Sequence, residues 1–182
     1  MKTFVFFLII LFPFLTFGQP KEAVVNLANK SAKEMYNITK DWLAISSNPG
    51  KVTIQVDDPN EQKLIGTGVK NIIYSLQKSP TFIDVNYVLS LQFKDGRFKY
   101  LLYVTSIKYE NGYEISFEDF KSLTTKEGWS VYRKTTNIDT HYNNKVLAEI
   151  TSELYSTINN EFDNIIANLT TRLKSDTKEV NW

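Results

Sequence analysis

The chain has 182 residues, 21 basic and 20 acidic side chains, and no cysteine. A net charge of +1 excludes the strongly basic footprint of a nucleic-acid or anionic-lipid binder, and the missing thiols exclude disulfide frameworks and cysteine metal sites. Aromatic residues make up 14% of the chain, which favours a β-rich core.

Residues 1–18 read as a secretory signal peptide. Lys2 opens the segment, residues 4–17 are an apolar run, and Thr16 and Gly18 put small residues at −3 and −1 of a cut before Gln19. The run is too short, and too soon followed by polar chain, to span a bilayer. No cysteine follows the cut, so the expected product is not a lipoprotein. An exported chain without disulfides fits a periplasmic or secreted bacterial protein. Residues 19–182 then form one α+β domain, long enough to bury a core of its own.

A short strand is expected over 23–27. Ser31 is placed to cap the helix that follows, with Glu34 completing a capping box. Met35, Ile38, Trp42 and Ile45 recur at three- and four-residue intervals and give that helix one apolar face. "SNPG" at 47–50 ends it, because proline cannot continue a helix and glycine permits the turn. "KVTIQVDD" then alternates, with Val52, Ile54 and Val56 facing one way and Thr53 and Gln55 the other.

Asp57, Asp58, Asn60 and Glu61 group oxygen ligands in one turn. Their spacing matches no calcium loop, so a turn bonded to its own backbone is expected and no metal. In the next strand, "LIGTGVKNIIYSL", Gly66 and Gly68 share a face and leave a trough for a large neighbour, with Trp42 the expected occupant. No Lys-Ser/Thr pair follows to make them a phosphate loop.

"FIDVNYVLSLQF" puts Ile83, Val85, Tyr87, Leu89, Leu91 and Phe93 on one face. Asp95-Gly96 and Asn111-Gly112 are type I′ hairpin signals, and a two-residue turn fixes register. Counting outward, Phe93 faces Phe98, Leu91 faces Tyr100, Leu89 faces Leu102 and Tyr87 faces Val104. The second turn sets Tyr109 against Glu114 and Ser106 against Phe117. From 143 to 174, Leu147, Ile150, Leu154, Ile158, Phe162, Ile165, Leu169 and Leu173 keep helical spacing. Such a helix runs about 48 Å and can cover the inner face, with about two turns projecting beyond it. The resulting fold class is α+β: two layers, a curved antiparallel sheet in β-α-β-β-β-β-α order, and both helices on one face.

Lys30-Ser31 followed by Tyr36, Trp42 within that helix, the strand from Val52 to Asp58, and Ile65-Gly66-Thr67-Gly68 also form a pattern. It resembles a group of exported bacterial proteins of unknown function with a fold like the TATA-box-binding protein. The resemblance spans roughly residues 22–117 and implies a TBP-like order of strand, helix, four strands and helix. It implies no activity.

No residue constellation specifies a reaction or a cofactor. His141 is the only histidine, and without cysteine or histidine partners a surface or capping role is expected. The sequons at Asn37 and Asn168 fall inside predicted helices and read as chance. The outer sheet face is more informative. Leu101, Tyr103, Thr105, Ile107 and Tyr109 alternate outward from the central strand, a more apolar strip than a solvated face carries. Either residues 125–138, with Trp129 and Tyr132, cover it as a lid, or a partner does. The functional expectation is a non-enzymatic exported module that binds a protein or cell-envelope component through Leu101, Tyr103, Ile107 and Tyr109. No nucleic acid and no cofactor is expected, and the oligomeric state stays open. The alternative is a small-molecule carrier or weak hydrolase with a cavity between helices and sheet.

Overall fold

A computed structural model describes residues 20–45, 50–76, 79–138 and 140–175. The expected leader at 1–18 lies outside them, as do residues 47–49 of the expected helix stop. Among the described residues six strands form one antiparallel sheet: β1 Lys21–Asn26, β2 Lys51–Asp58, β3 Lys63–Leu76, β4 Ser79–Lys94, β5 Arg97–Tyr109 and β6 Glu114–Ser116. Their spatial order is β1-β5-β4-β3-β2, and β6 also pairs with β5. Helix α1, Ala32–Ile45, links β1 at one edge to β2 at the other, so it must cross the sheet. It packs beside the long helix α4, Asn144–Lys174, on the same face.

The start of α1 shows how local chemistry ties the layers together. Ser31 Oγ accepts the Glu34 backbone N–H at 3.2 Å, as a capping serine should. Glu34 does not return the bond; its carboxylate takes Lys30 Nζ at 2.6 Å. A second cap comes from the β4–β5 turn, where Asp95 Oδ1 accepts the Ala32 N–H at 2.8 Å. In that turn only Gly96 has a positive φ, of 75°, so it is not the type I′ turn that the Asp-Gly pair suggested. The register survives the change: Phe93, Leu91, Leu89 and Tyr87 face Phe98, Tyr100, Leu102 and Val104 as expected.

The second hairpin corrects the sequence reading. Lys108 faces Glu114, Ile107 faces Ile115 and Ser106 faces Ser116. Gly112, at φ 83°, closes a three-residue loop by donating its N–H to the Tyr109 carbonyl at 2.9 Å. One extra loop residue moves each partner by one, and the strand ends at Ser116 instead of carrying Phe117. Phe117 instead opens a short helix, α2 Phe117–Ser122, capped by Ser116 Oγ on the Asp119 N–H at 3.0 Å.

Residues 125–138 supply a further helix, α3 Lys126–Thr136, capped by Thr125 Oγ1 on the Gly128 N–H at 3.0 Å. It is not a lid over the outer face. Trp129 Nε1 donates to Thr151 Oγ1 at 3.2 Å, which seats α3 on the first half of α4. The helical turns expected to project are therefore packed.

Between helices and sheet lies the core. Met35 of α1, Ile158 and Phe162 of α4, Phe120 of α2, and Tyr87 and Phe98 of the sheet are each at most 1% exposed. The Tyr87 and Phe162 rings meet edge to face with centroids 5.0 Å apart. Burying one such side chain contributes about 1.5–3 kcal/mol. The layer where a carrier needs its cavity is thus filled. A hollow reaching it beside Leu102 and Phe162 measures about 70 Å³, well short of the ~300 Å³ at which small-molecule sites begin.

Candidate functional site

Two bulges decide what the outer face displays. The β4–β5 ladder shifts register between Asn86 and Tyr87, because Thr105 is an extra residue on β5. Before the bulge, Phe98 and Leu102 point to the core and Leu101 and Tyr103 point outward. After it the faces exchange. Ile107 lies between Val85 and Ile115 and is fully buried. Tyr109 faces Ile83 on the core side, with its ring 6.0 Å from Tyr113. Burial, with Tyr74, Tyr113 and Tyr132 nearby, pushes its phenol well above the usual range. Of the five residues read as the outward strip, the structure keeps Leu101 and Tyr103 on the open face, makes Thr105 the extra residue of the bulge, and places Ile107 and Tyr109 in the core layer.

The second bulge lies in β2, where Gln55 is extra between Ile54 and Val56. Ile54 and Val52 pair with Gly66 and Gly68 on the core face, whereas Val56 pairs with Ile65 on the outer one. Asp57 is thereby turned inward, beneath α1. There Lys40 Nζ holds it at 2.5 Å and the Tyr36 hydroxyl donates to its other oxygen. The Lys40 bond, then the Tyr36 bond, keep the Asp57 carboxyl below the usual range. Burial first, and Asp57 second, push the Tyr36 phenol up to about 12. Asp58 behaves as a turn residue, its Oδ1 accepting the Asn60 and Glu61 N–H groups at 2.9 and 3.0 Å.

Together these shifts gather an apolar strip across four strands. Leu101 on β5 lies beside Ser90 on β4, then Ile65 on β3 and Val56 on β2; the next row runs Tyr103, Val88, Thr67, Thr53. Tyr103 is 40% exposed, and no described helix lies over this face. Beside it a hollow of about 350 Å³ is floored by Gly68 and walled by Thr53, Thr67, Val69, Asn86 and Thr105. Polar groups bound the strip at one end, where Asn86 Nδ2 donates to Ser106 Oγ at 2.9 Å and Ser106 donates to Glu114. At the other end Lys94, Arg97 and Lys99 surround a hollow of about 170 Å³. The strip offers apolar burial, with hydrogen-bonding and cationic margins.

By alternation, sequence reasoning placed Val88 on the outer face beside this strip, where it pairs with Tyr103, but it missed Ile65 and Val56, which needed the strand order and the Gln55 bulge. It also misassigned the glycine trough: the Tyr87 ring, not Trp42, lies over Gly68, where a Cβ would overlap it, and Val52 Cγ1 lies 2.9 Å from a Cβ placed on Gly66. His141 is exposed at the approach to α4. Among the described residues no group of three or more His, Cys, Asp or Glu is placed to hold a metal ion, and no helix is long and apolar enough to cross a membrane.

Comparison with known proteins bears on the fold. Solved structures similar to the chain include a TBP-like protein from Parabacteroides distasonis ATCC 8503, 13% identical, TM-score 0.54, covering 86% of this chain and 92% of that one, and a DUF4468 family protein from Bacteroides ovatus ATCC 8483, 15% identical, TM-score 0.49, covering 79% and 85%. No curated protein matches the chain. Residues 22–110, which hold five of the strands, α1 and most of the open face, match the family model of DUF4468, a domain of unknown function with TBP-like fold.

Proposed function

We propose that the chain is an exported, non-enzymatic module that binds a protein or cell-envelope component on the open sheet face around Leu101 and Tyr103. The observation that carries this reading is the uncovered apolar strip, in which Tyr103, Val88, Leu101, Ile65 and Val56 adjoin across four strands. A central tyrosine among aliphatic neighbours, with a polar and charged rim, is the composition of a binding hot spot. The leader-like residues 1–18 support export, which puts the partner in the envelope or the medium.

A photo-crosslinking residue at position 103, introduced in cells that make the full chain, tests both parts. The expected product is a discrete adduct with an envelope protein or component, lost on Val88→Glu while the thermal melt stays unchanged. An adduct that persists in Val88→Glu, or its absence, overturns the binding reading. Retention of the unprocessed chain in the cytoplasm overturns export.

A further inference from the structure

We infer that β2 is a self-association edge: two copies pair antiparallel through residues 51–58 and continue the sheet from one molecule into the next. Among the described residues β2 pairs on one side only, with β3, so its other row of backbone N–H and C=O groups is unused. The strand is also the most exposed of the long ones. Six of its eight residues are exposed, including Ile54 and Val56.

What selects a second copy as the occupant is charge complementarity. In a two-fold antiparallel pairing whose axis passes between Ile54 and Gln55, Lys51 faces Asp58 of the second copy, Val52 faces Asp57, and Thr53 faces Val56. Such a contact is isologous, so the Lys51–Asp58 pair occurs twice. The opposite-charge pairs stand at the two ends and no like charges meet.

The bulge at Gln55 is what makes this register workable. Without it, residues whose numbers add to an odd total lie on opposite sheet faces. With it, Lys51 and Asp58 both lie on the outer face, opposite Val69 and Lys63 of β3, and Thr53 and Val56 do likewise. Bulges often protect an edge from pairing; here the two extra residues meet at the axis and leave three matched pairs on either side. The opposite edge offers no such match. Antiparallel self-pairing of β1, Lys21–Asn26, sets no acidic residue against Lys21, which is already held by Asp163 at 2.5 Å.

Sedimentation equilibrium and cross-linking on the purified full chain test this surface independently of the Tyr103 face. The expected result is a reversible dimer that Lys51→Glu weakens at least tenfold, since the introduced carboxylate then meets Asp58. The chain has no cysteine, so Thr53→Cys with Val56→Cys gives a clean register probe. Oxidation should link position 53 of one copy to 56 of the other, whereas either cysteine alone should not link. Within one strand these positions are too far apart to bridge. A monomer at every concentration, a dimer indifferent to Lys51→Glu, or equal cross-linking of the single Thr53→Cys variant each overturns the proposal.

Discussion

Tyr103 and Ile107 lie four residues apart on the same strand, and strict alternation assigns both to the same face. One is 40% exposed and the other fully buried. The difference is Thr105, a single residue without a partner on β4. Strand β4 teaches the converse. Its six alternating residues from Ile83 to Phe93 are all buried, because nothing is inserted along its length. Alternation thus reports a face only while both strands advance one residue per step.

The sharpest way to break this comparison is to truncate both residues. Ile107→Ala should cost about 2–5 kcal/mol, the range for removing a fully buried aliphatic side chain. Tyr103→Ala should stay within about 0.5 kcal/mol, as exposed positions usually do. Urea denaturation of the two variants decides it. Equal costs show that the faces do not exchange at Thr105.

The glycine trough gives the next largest effect. Gly68→Val places a side chain into the space of the Tyr87 ring, which is held on its other side by Phe162. The expected loss is about 1–3 kcal/mol from overpacking. Gly66→Val meets Val52 on the edge strand, which has room to yield, so it should cost less. Denaturation midpoints in the reverse order would show that Tyr87 moves more easily than the edge strand.

How much of this was readable beforehand follows the same physics. The β4–β5 pairing was legible because alternation and an Asp-Gly turn agreed, and α4 because its apolar period runs unbroken for about eight turns. The exchange of faces left a trace, in that the inward series at 98, 100, 102 and 104 resumes at 107 with Thr105 and Ser106 between. Leu101 and Tyr103 masked it, since an apolar outer face makes either parity look acceptable. In β2 nothing marked the Gln55 bulge: Val52, Ile54 and Val56 alternate perfectly, and the residue turned inward is Asp57, whose partners come from a helix. The short helices α2 and α3 were signalled only by their capping residues, Ser116 and Thr125.

Deleting Thr105 sharpens the comparison from the other side. With the extra residue gone, Val104 points in, Ser106 out and Ile107 in, so regular alternation keeps every core residue where it is. The cost should be about 1 kcal/mol, the ordinary scale of a single change, and less than that of Ile107→Ala. Loss of the folded state on deletion would mean that the bulge supplies curvature the helices require.

The smallest effects belong to the Gln55 bulge, which places Asp57 under Lys40 and Tyr36. Asp57 titrates below its ordinary value, so its contribution is present above about pH 4 and is lost as pH falls through the lower folded value. Tyr36 titrates near 12 instead of near 10, so its contribution is complete below pH 10 and disappears as pH rises through about 12. The two limbs therefore have opposite signs and share one hydrogen bond. Tyr36→Phe should remove Tyr36's share of the alkaline limb and flatten the acid limb only in part, because the Lys40 bond is the larger cause at Asp57. Asp57→Asn should remove Asp57's share of the acid limb and only part of Tyr36's alkaline share, because burial is the larger cause there. Urea midpoints from pH 2 to 6 and from 9 to 12 resolve the limbs. Wild type and Asp57→Asn running parallel through the acid range would mean that the inward turn of Asp57 contributes nothing to stability.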